Sequence, residues 1–354
     1  MRKIVIALLS VVGVMALGVG LWWFVNNNYM SYRQFAQYTP SIGSQIWYTD
    51  NAFVEQNSLG VNVYAVELDG NILPLYTDTA SSKVEYAKDD YIVLSTSGGV
   101  SAFYVGDTLT KAFDVIGEFM SAHQFGEYLC VKVDDGGDMV NYRYDPANGV
   151  VNLTEKYDVD FLDYCIDPIE NKEYFISYIL SGEYVRISII TCNNGVLLPE
   201  AFIELDNTVY TGFDYIKDLF VFYTENSMIF VNTQTQVRRV QYVYDVDKVQ
   251  KIAYDDKFVF FMDGAYFNGV DNAYIVTPSS SSFSHMVGYK HFNKCGDKLF
   301  YVQDKYAMQH AFGGMLSTDT VLFSDEEMTG INVMGDIIVV EKADKLVFML
   351  AEDK

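Results

Sequence analysis

Residues 255–264 read DDKFVFFMDG. Two acids and a lysine lead into five apolar residues, three of them Phe, and polarity then returns at once. A strand with one wet face alternates apolar and polar residues. Five apolar residues in a row put side chains of both parities into packing, so this short strand is covered on both faces. The unit recurs as SQIWYTD from Ser44, DDYIVLS from Asp89, GEYLCVKV from Gly126, KEYFISYI from Lys172, KDLFVFYT from Lys217, GDKLFYVQ from Gly296 and GDIIVVEK from Gly335. With the first stretch that makes eight. Between Ile46, Tyr91, Tyr128, Tyr174, Leu219, Phe258, Leu299 and Ile337 the intervals are 45, 37, 46, 45, 39, 41 and 38 residues. Their mean, about 42, is the period of four-stranded propeller blades.

Each run has a partner strand behind a short turn, as in VSAFYV (100–105), VNYRYD (140–145), SMIFVN (227–232) and KLVFML (345–350). The intervening STSGG, DDGGD, SGE, TENS and KAD carry hairpin chemistry. Third strands such as GNILPLY and TQVRRVQY follow, and inner strands such as VQKIAY precede the runs. A pair of β-sandwiches also spaces strands regularly, but it does not repeat one hairpin with the same flanks eight times. The fold class is therefore all-β, a β-propeller of about eight four-stranded blades. Seven is the alternative if the first and last units share a blade. The last unit lacks an edge strand, and YRQFAQY (32–38) is the segment placed to supply it and close the ring.

Composition agrees with this reading. Half of the 354 residues are apolar, 16% are aromatic, and Tyr (28) and Phe (24) dominate, which favours strands. The formal net charge of −23 repels phosphate backbones and excludes nucleic acid as a natural partner.

Residues 4–25, IVIALLSVVGVMALGVGLWWFV, carry no charge. At helical rise they span roughly 33 Å, enough for a bilayer core. Arg2 and Lys3 precede them, and Trp22 and Trp23 close them. That pattern predicts a single transmembrane signal-anchor helix with a cytoplasmic N-terminus and an extracytoplasmic remainder. The stretch is longer than a signal-peptide core, and bulky residues follow its weak cleavage candidate Ala16-Leu17-Gly18. The predicted organisation is residues 1–3 in the cytoplasm, 4–25 in the membrane, 26–40 as a stem and 41–354 as the propeller.

Over 41–354 the Tyr- and Asp-rich repeats resemble the β-propeller repeats of bacterial membrane-anchored and secreted proteins. The resemblance is one of architecture. The Gly-His and Trp-Asp pairs of WD40 repeats, the double glycines of kelch and the Asp boxes of sialidases are absent, so no site residues carry over. No nucleophile elbow, P-loop, dinucleotide fingerprint or His-Glu-x-x-His motif occurs. His123, His285, His291 and His310 have no metal-ligand spacing with Cys295, and they are read as unrelated residues. Asp134, Asp135 and Asp138 form a weak cation candidate on one turn; the spacing is not that of an EF-hand and reads as a solvated turn. Cys130, Cys165, Cys192 and Cys295 require no disulfide in a domain of this size. No cofactor is expected.

Two function classes remain. One is a membrane-tethered binding or scaffold module that contacts other envelope or membrane proteins. The other is an extracytoplasmic enzyme acting on glycans or peptides from the propeller channel. Two longer loops, TDNAFVEQNSLG (49–60) and DGAYFNGVD (263–271), place aromatics beside amides and acids. Phe53, Glu55, Tyr266, Phe267, Asn268 and Asp271 are the expected partner-binding residues.

Overall fold

The computed structural model describes residues 32–351 except 80–81, 158–160, 182–183, 194–195, 207–209, 236–237, 255–256, 264, 266–271, 286–288, 296–297 and 312–317. Eight antiparallel four-stranded sheets form a β-propeller. Seven blades take four consecutive strands each, over residues 45–78, 83–115, 118–152, 163–206, 210–242, 250–285 and 289–324. Blade 8 takes Gly330–Met334, Ile337–Glu341 and Leu346–Ala351, and its outer strand is Tyr32–Tyr38. The register runs from Tyr32 opposite Ala351 to Tyr38 opposite Leu346. The ring thus closes with the segment expected to close it. Residues 32–38, assigned above to a stem, belong to the propeller.

The double-parity runs are the second strands, and the packing explains them. In blade 6, Phe258, Phe260 and Met262 enter a cluster with Leu219, Val221 and Phe230 of blade 5. Their alternates Val259 and Phe261 pack with Leu299 and Tyr301 of blade 7. Blade 2 does the same: Ile92 and Leu94 face blade 1, and Tyr91 and Val93 face blade 3. Every neighbouring pair of blades shares such a layer, the 8–1 pair through Phe53, Val339 and Phe348.

Blade 1 corrects the alignment of the first unit. Gln45–Tyr48 is the inner strand, and the second strand is Phe53–Asn57. Counted from Phe53, the first interval falls from 45 residues to 38. The third strand begins at Gly60, φ +138°, where a Cβ would stand 1.8 Å from the Asp78 carbonyl oxygen of the outer strand. Only glycine accepts both the dihedral and the approach.

Tyrosine and acid richness has a shared cause. Tyr48 donates to Glu341 at 2.9 Å, Tyr215 to Asp167 at 2.8 Å and Tyr174 to Asp218 at 3.2 Å, each between neighbouring blades. The ring fills the layer, and the hydroxyl satisfies a carboxylate that burial would otherwise penalise.

Candidate functional site

Strand direction alternates within a blade, so its turns divide between two faces. The turns joining second to third strands share one face with the connections between blades; we call it the upper face. The other turns and the ends of the blade 8 closure, Tyr32 and Ala351, lie on the lower face.

The inner strands of blades 3 to 6 wall a hollow of about 570 Å³. Its lining includes Ser121, His123, Lys132, Asp163, Tyr210 and Lys251. Most inner-strand members come from the upper halves of their strands, and Val246, Asp247 and Val249 come from the blade 5–6 connection. The hollow therefore opens on the upper face.

Two polar clusters lace this wall. Lys132 of blade 3 pairs with Asp163 of blade 4 at 2.9 Å and also donates to the Leu162 carbonyl at 3.1 Å. Tyr210 of blade 5 donates to the other Asp163 oxygen at 2.8 Å. Lys251 of blade 6 pairs with Asp214 of blade 5 at 2.5 Å, and Tyr223 donates to the same carboxylate at 2.6 Å. The Lys251 ammonium also sits 4.4 Å from the Tyr223 ring centroid. Burial, reinforced by the neighbouring carboxylates, raises the Tyr210 and Tyr223 hydroxyls well above the ordinary phenol value.

His123 lies between the clusters, its ring 5.6 Å from that of Phe213. Burial lowers its pKa against the pull of Asp214 and Asp163, so the imidazole is neutral at pH 7. Sequence reasoning set His123 aside as unrelated. The residues around it are 9 to 128 positions away along the chain, from Lys132 to Lys251, so no local spacing announces them. The one available signal is polar residues punctuating the inner strands, as in EFMSAHQF and QKIAY.

The residues expected to bind a partner fare differently. Phe53 and Glu55 belong to the second strand of blade 1, at 0% and 1% exposure. Phe53 packs on Tyr38, Tyr64 and Phe348. Glu55 accepts from the Tyr38 hydroxyl at 2.7 Å and the Ser41 backbone N–H at 2.6 Å. They are seam residues, and the turn before them, 49–52, faces the lower side. Tyr266, Phe267, Asn268 and Asp271 lie outside the described residues; the flanking Met262 and Asn272 pair at the upper face. Asp134, Asp135 and Asp138 sit on an upper-face hairpin turn, where Asp134 accepts from the Gly137 N–H at 2.6 Å. Among the described residues no group of three His, Cys, Asp or Glu is placed to hold a metal ion. Residues 4–25 are outside the described residues, among which no helix is long and apolar enough to cross a membrane.

The upper face also gathers exposed apolar side chains. Ile42, Leu59, Ile116, Tyr242 and Tyr244 lie in its turns, connections or strand ends, with exposures from 72% to 105%. At comparable exposure, Leu68 and Ile169 lie on the lower face. A second hollow of about 600 Å³ lies beside Ile42, between the 8–1 connection and residues 341–346.

No family model matches the chain, and no curated protein matches it. Solved structures do. The computationally designed Ika8 protein is 11% identical over 90% of this chain and 100% of its own, at a TM-score of 0.52. The Pan2 WD40 domain of Neurospora crassa is 8% identical over 92% of this chain and 97% of its own, at a TM-score of 0.43. At 11% identity the likeness to the designed protein is one of fold alone.

Proposed function

We propose that the protein is a membrane-tethered, extracytoplasmic binding module whose upper face docks a protein of the cell envelope or membrane. The observation that carries this is that Ile42, Leu59, Ile116, Tyr242 and Tyr244 all lie on one face, in blades 1 and 5 and the connections beside blades 1, 2 and 5. Exposed aromatic and aliphatic side chains set in a polar surface are what a partner desolvates first. The opposite face holds Tyr32. If residues 4–25 span the bilayer, only residues 26–31 join them to the propeller, a reach of roughly 20 Å. The lower face then sits against the membrane and the upper face points away from it. With a net charge of −23 over the chain, a partner presenting basic groups beside apolar ones suits it.

The test is affinity capture of the tagged full chain from its native membranes. Ile42→Ser, Leu59→Ser and Tyr244→Ser combined should abolish recovery of the partner and leave the melting temperature within about 2 °C, since exposed positions cost little. Leu68→Ser with Ile169→Ser should leave recovery intact. The proposal falls if the upper-face variant recovers partner fully, or if the lower-face variant loses it. Protease added to intact cells tests the orientation separately; a propeller protected until lysis contradicts it.

A further inference from the structure

We infer that the upper mouth of the channel binds a neutral, hydroxyl-rich ligand of one or two sugar rings. The hollow of about 570 Å³ falls in the roughly 300–1,000 Å³ range of small-ligand sites. Among the described lining residues both lysines are matched internally, Lys132 by Asp163 and Lys251 by Asp214, and Asp247 at the rim is the further charge. An anionic ligand would have to break one of these pairs and would also meet Asp247 at the rim. A cationic ligand would meet the two lysines, with Asp247 at the rim to offset one of them. A neutral ligand does neither.

Hydrogen-bonding capacity nevertheless remains. The Lys132 ammonium has three N–H donors and spends two, on Asp163 and the Leu162 carbonyl. The His123 ring contacts Phe125 and Phe213 and makes no hydrogen bond among the described residues. Its neutral imidazole offers one donor and one acceptor to the hollow. The Ser121 and Thr211 hydroxyls add two groups that both donate and accept. Paired donor-acceptor groups suit hydroxyls, which also do both. The lining also includes the apolar Met120, Phe213 and Val249, from blade 3, blade 5 and the 5–6 connection, against which the C–H face of a sugar ring can rest. This reading concerns a small ligand and stands apart from the docking face; either can fail alone.

The experiment uses the full chain in lipid nanodiscs, because many common detergents carry sugar headgroups. Saturation-transfer NMR and calorimetry are run with glucose, galactose, mannose, N-acetylglucosamine and their β-linked disaccharides. Glucuronate and glucosamine serve as charged analogues. At least one neutral saccharide should bind saturably with Kd below about 1 mM, a weak but specific affinity. His123→Ala and Thr211→Val should each weaken it about tenfold, the scale of one lost hydrogen bond. Both charged analogues should bind at least about tenfold more weakly than their neutral parents. Thr211 is exposed, so Thr211→Val keeps the test valid if His123→Ala lowers the melting temperature. No saturable binding below about 10 mM overturns the inference. Binding indifferent to both substitutions, or equal binding of a charged analogue, overturns it as well.

Discussion

Phe53→Ala opens the seam at which the ring closes. The Phe53 ring is fully buried, with centroids of Tyr38, Tyr64 and Phe348 at 5.0, 5.1 and 5.6 Å. Those three rings come from the outer strand of blade 8, the third strand of blade 1 and the third strand of blade 8. Removing the benzene ring forfeits its transfer energy and leaves a cavity between two sheets, blades 1 and 8, that cannot collapse independently. The cost for Phe→Ala in such a site is about 3–5 kcal/mol. Rigid walls on three sides put this case toward the upper figure. Against a total stability of about 5–15 kcal/mol, that is a third of the fold or more. Urea unfolding followed by intrinsic fluorescence reads it as a large fall in midpoint at constant slope. Limited trypsin digestion reads the same event locally, because Arg33 lies on the strand that the seam retains. Cleavage after Arg33 should accelerate in the variant before the remaining blades are cut. Ile42→Ala, at a fully exposed position, is the control and should cost under about 0.5 kcal/mol. A Phe53→Ala loss below about 1 kcal/mol, or unchanged cleavage after Arg33, would refute the seam assignment.

The same seam should be acid-labile. Burial works to raise the Glu55 pKa, but hydrogen bonds from Tyr38 and Ser41 outweigh it and hold the carboxyl below its ordinary value. A folded pKa below the unfolded one, near 4.3, gives stability that is present above that pH. It is lost as pH falls through the folded pKa. Thermal melts between pH 5 and 3 should therefore fall less steeply in Glu55→Gln than in the parent, and identical slopes would contradict the assignment. Gly60→Ala should be far more damaging than Gly136→Ala. The first drives a Cβ into the Asp78 carbonyl, while the second meets open space and pays only for its φ of +70°, about 1–2 kcal/mol. Equal urea midpoints for the two would show that the third strand of blade 1 does not start where the structure puts it.

The propeller was legible because its second strands are apolar at both parities, a pattern that only two-sided packing demands. Blade 1 broke the rule for a physical reason. Its second strand, FVEQN, holds three polar residues whose hydrogen bonds depend on partners outside it. Glu55 is satisfied by Tyr38 and Ser41, and the Gln56 side-chain oxygen accepts from the Val84 N–H of blade 2. Hydropathy sees the acid and the amide but not the donors waiting for them, so FVEQN read as a loop and its neighbour IWY as the core. The channel hollow was illegible for a related reason. His123, Asp163, Tyr210 and Lys251 each sit on an ordinary inner strand of a different blade. Only the curvature of the ring brings them to one mouth.

The strand pairing of residues 32–38 with 346–351 also fixes an order of events during synthesis. Among the described strands, the first made is the last to find its partner. Until residues 346–351 emerge, blade 8 cannot form, and Tyr32–Tyr38 waits with both edges unpaired. A chain that lacks blade 8 leaves the facing apolar surfaces of blades 7 and 1 uncovered, and bare apolar faces recruit other chains. The entropy of bringing the ends together rises only with the logarithm of their separation. Stacking of the intermediate blades shortens the effective distance further, so the delay is set by synthesis rather than by search. Closure thus works as a check on completeness: the closed ring covers those faces, and a chain without blade 8 displays them to whatever proteases or chaperones it meets.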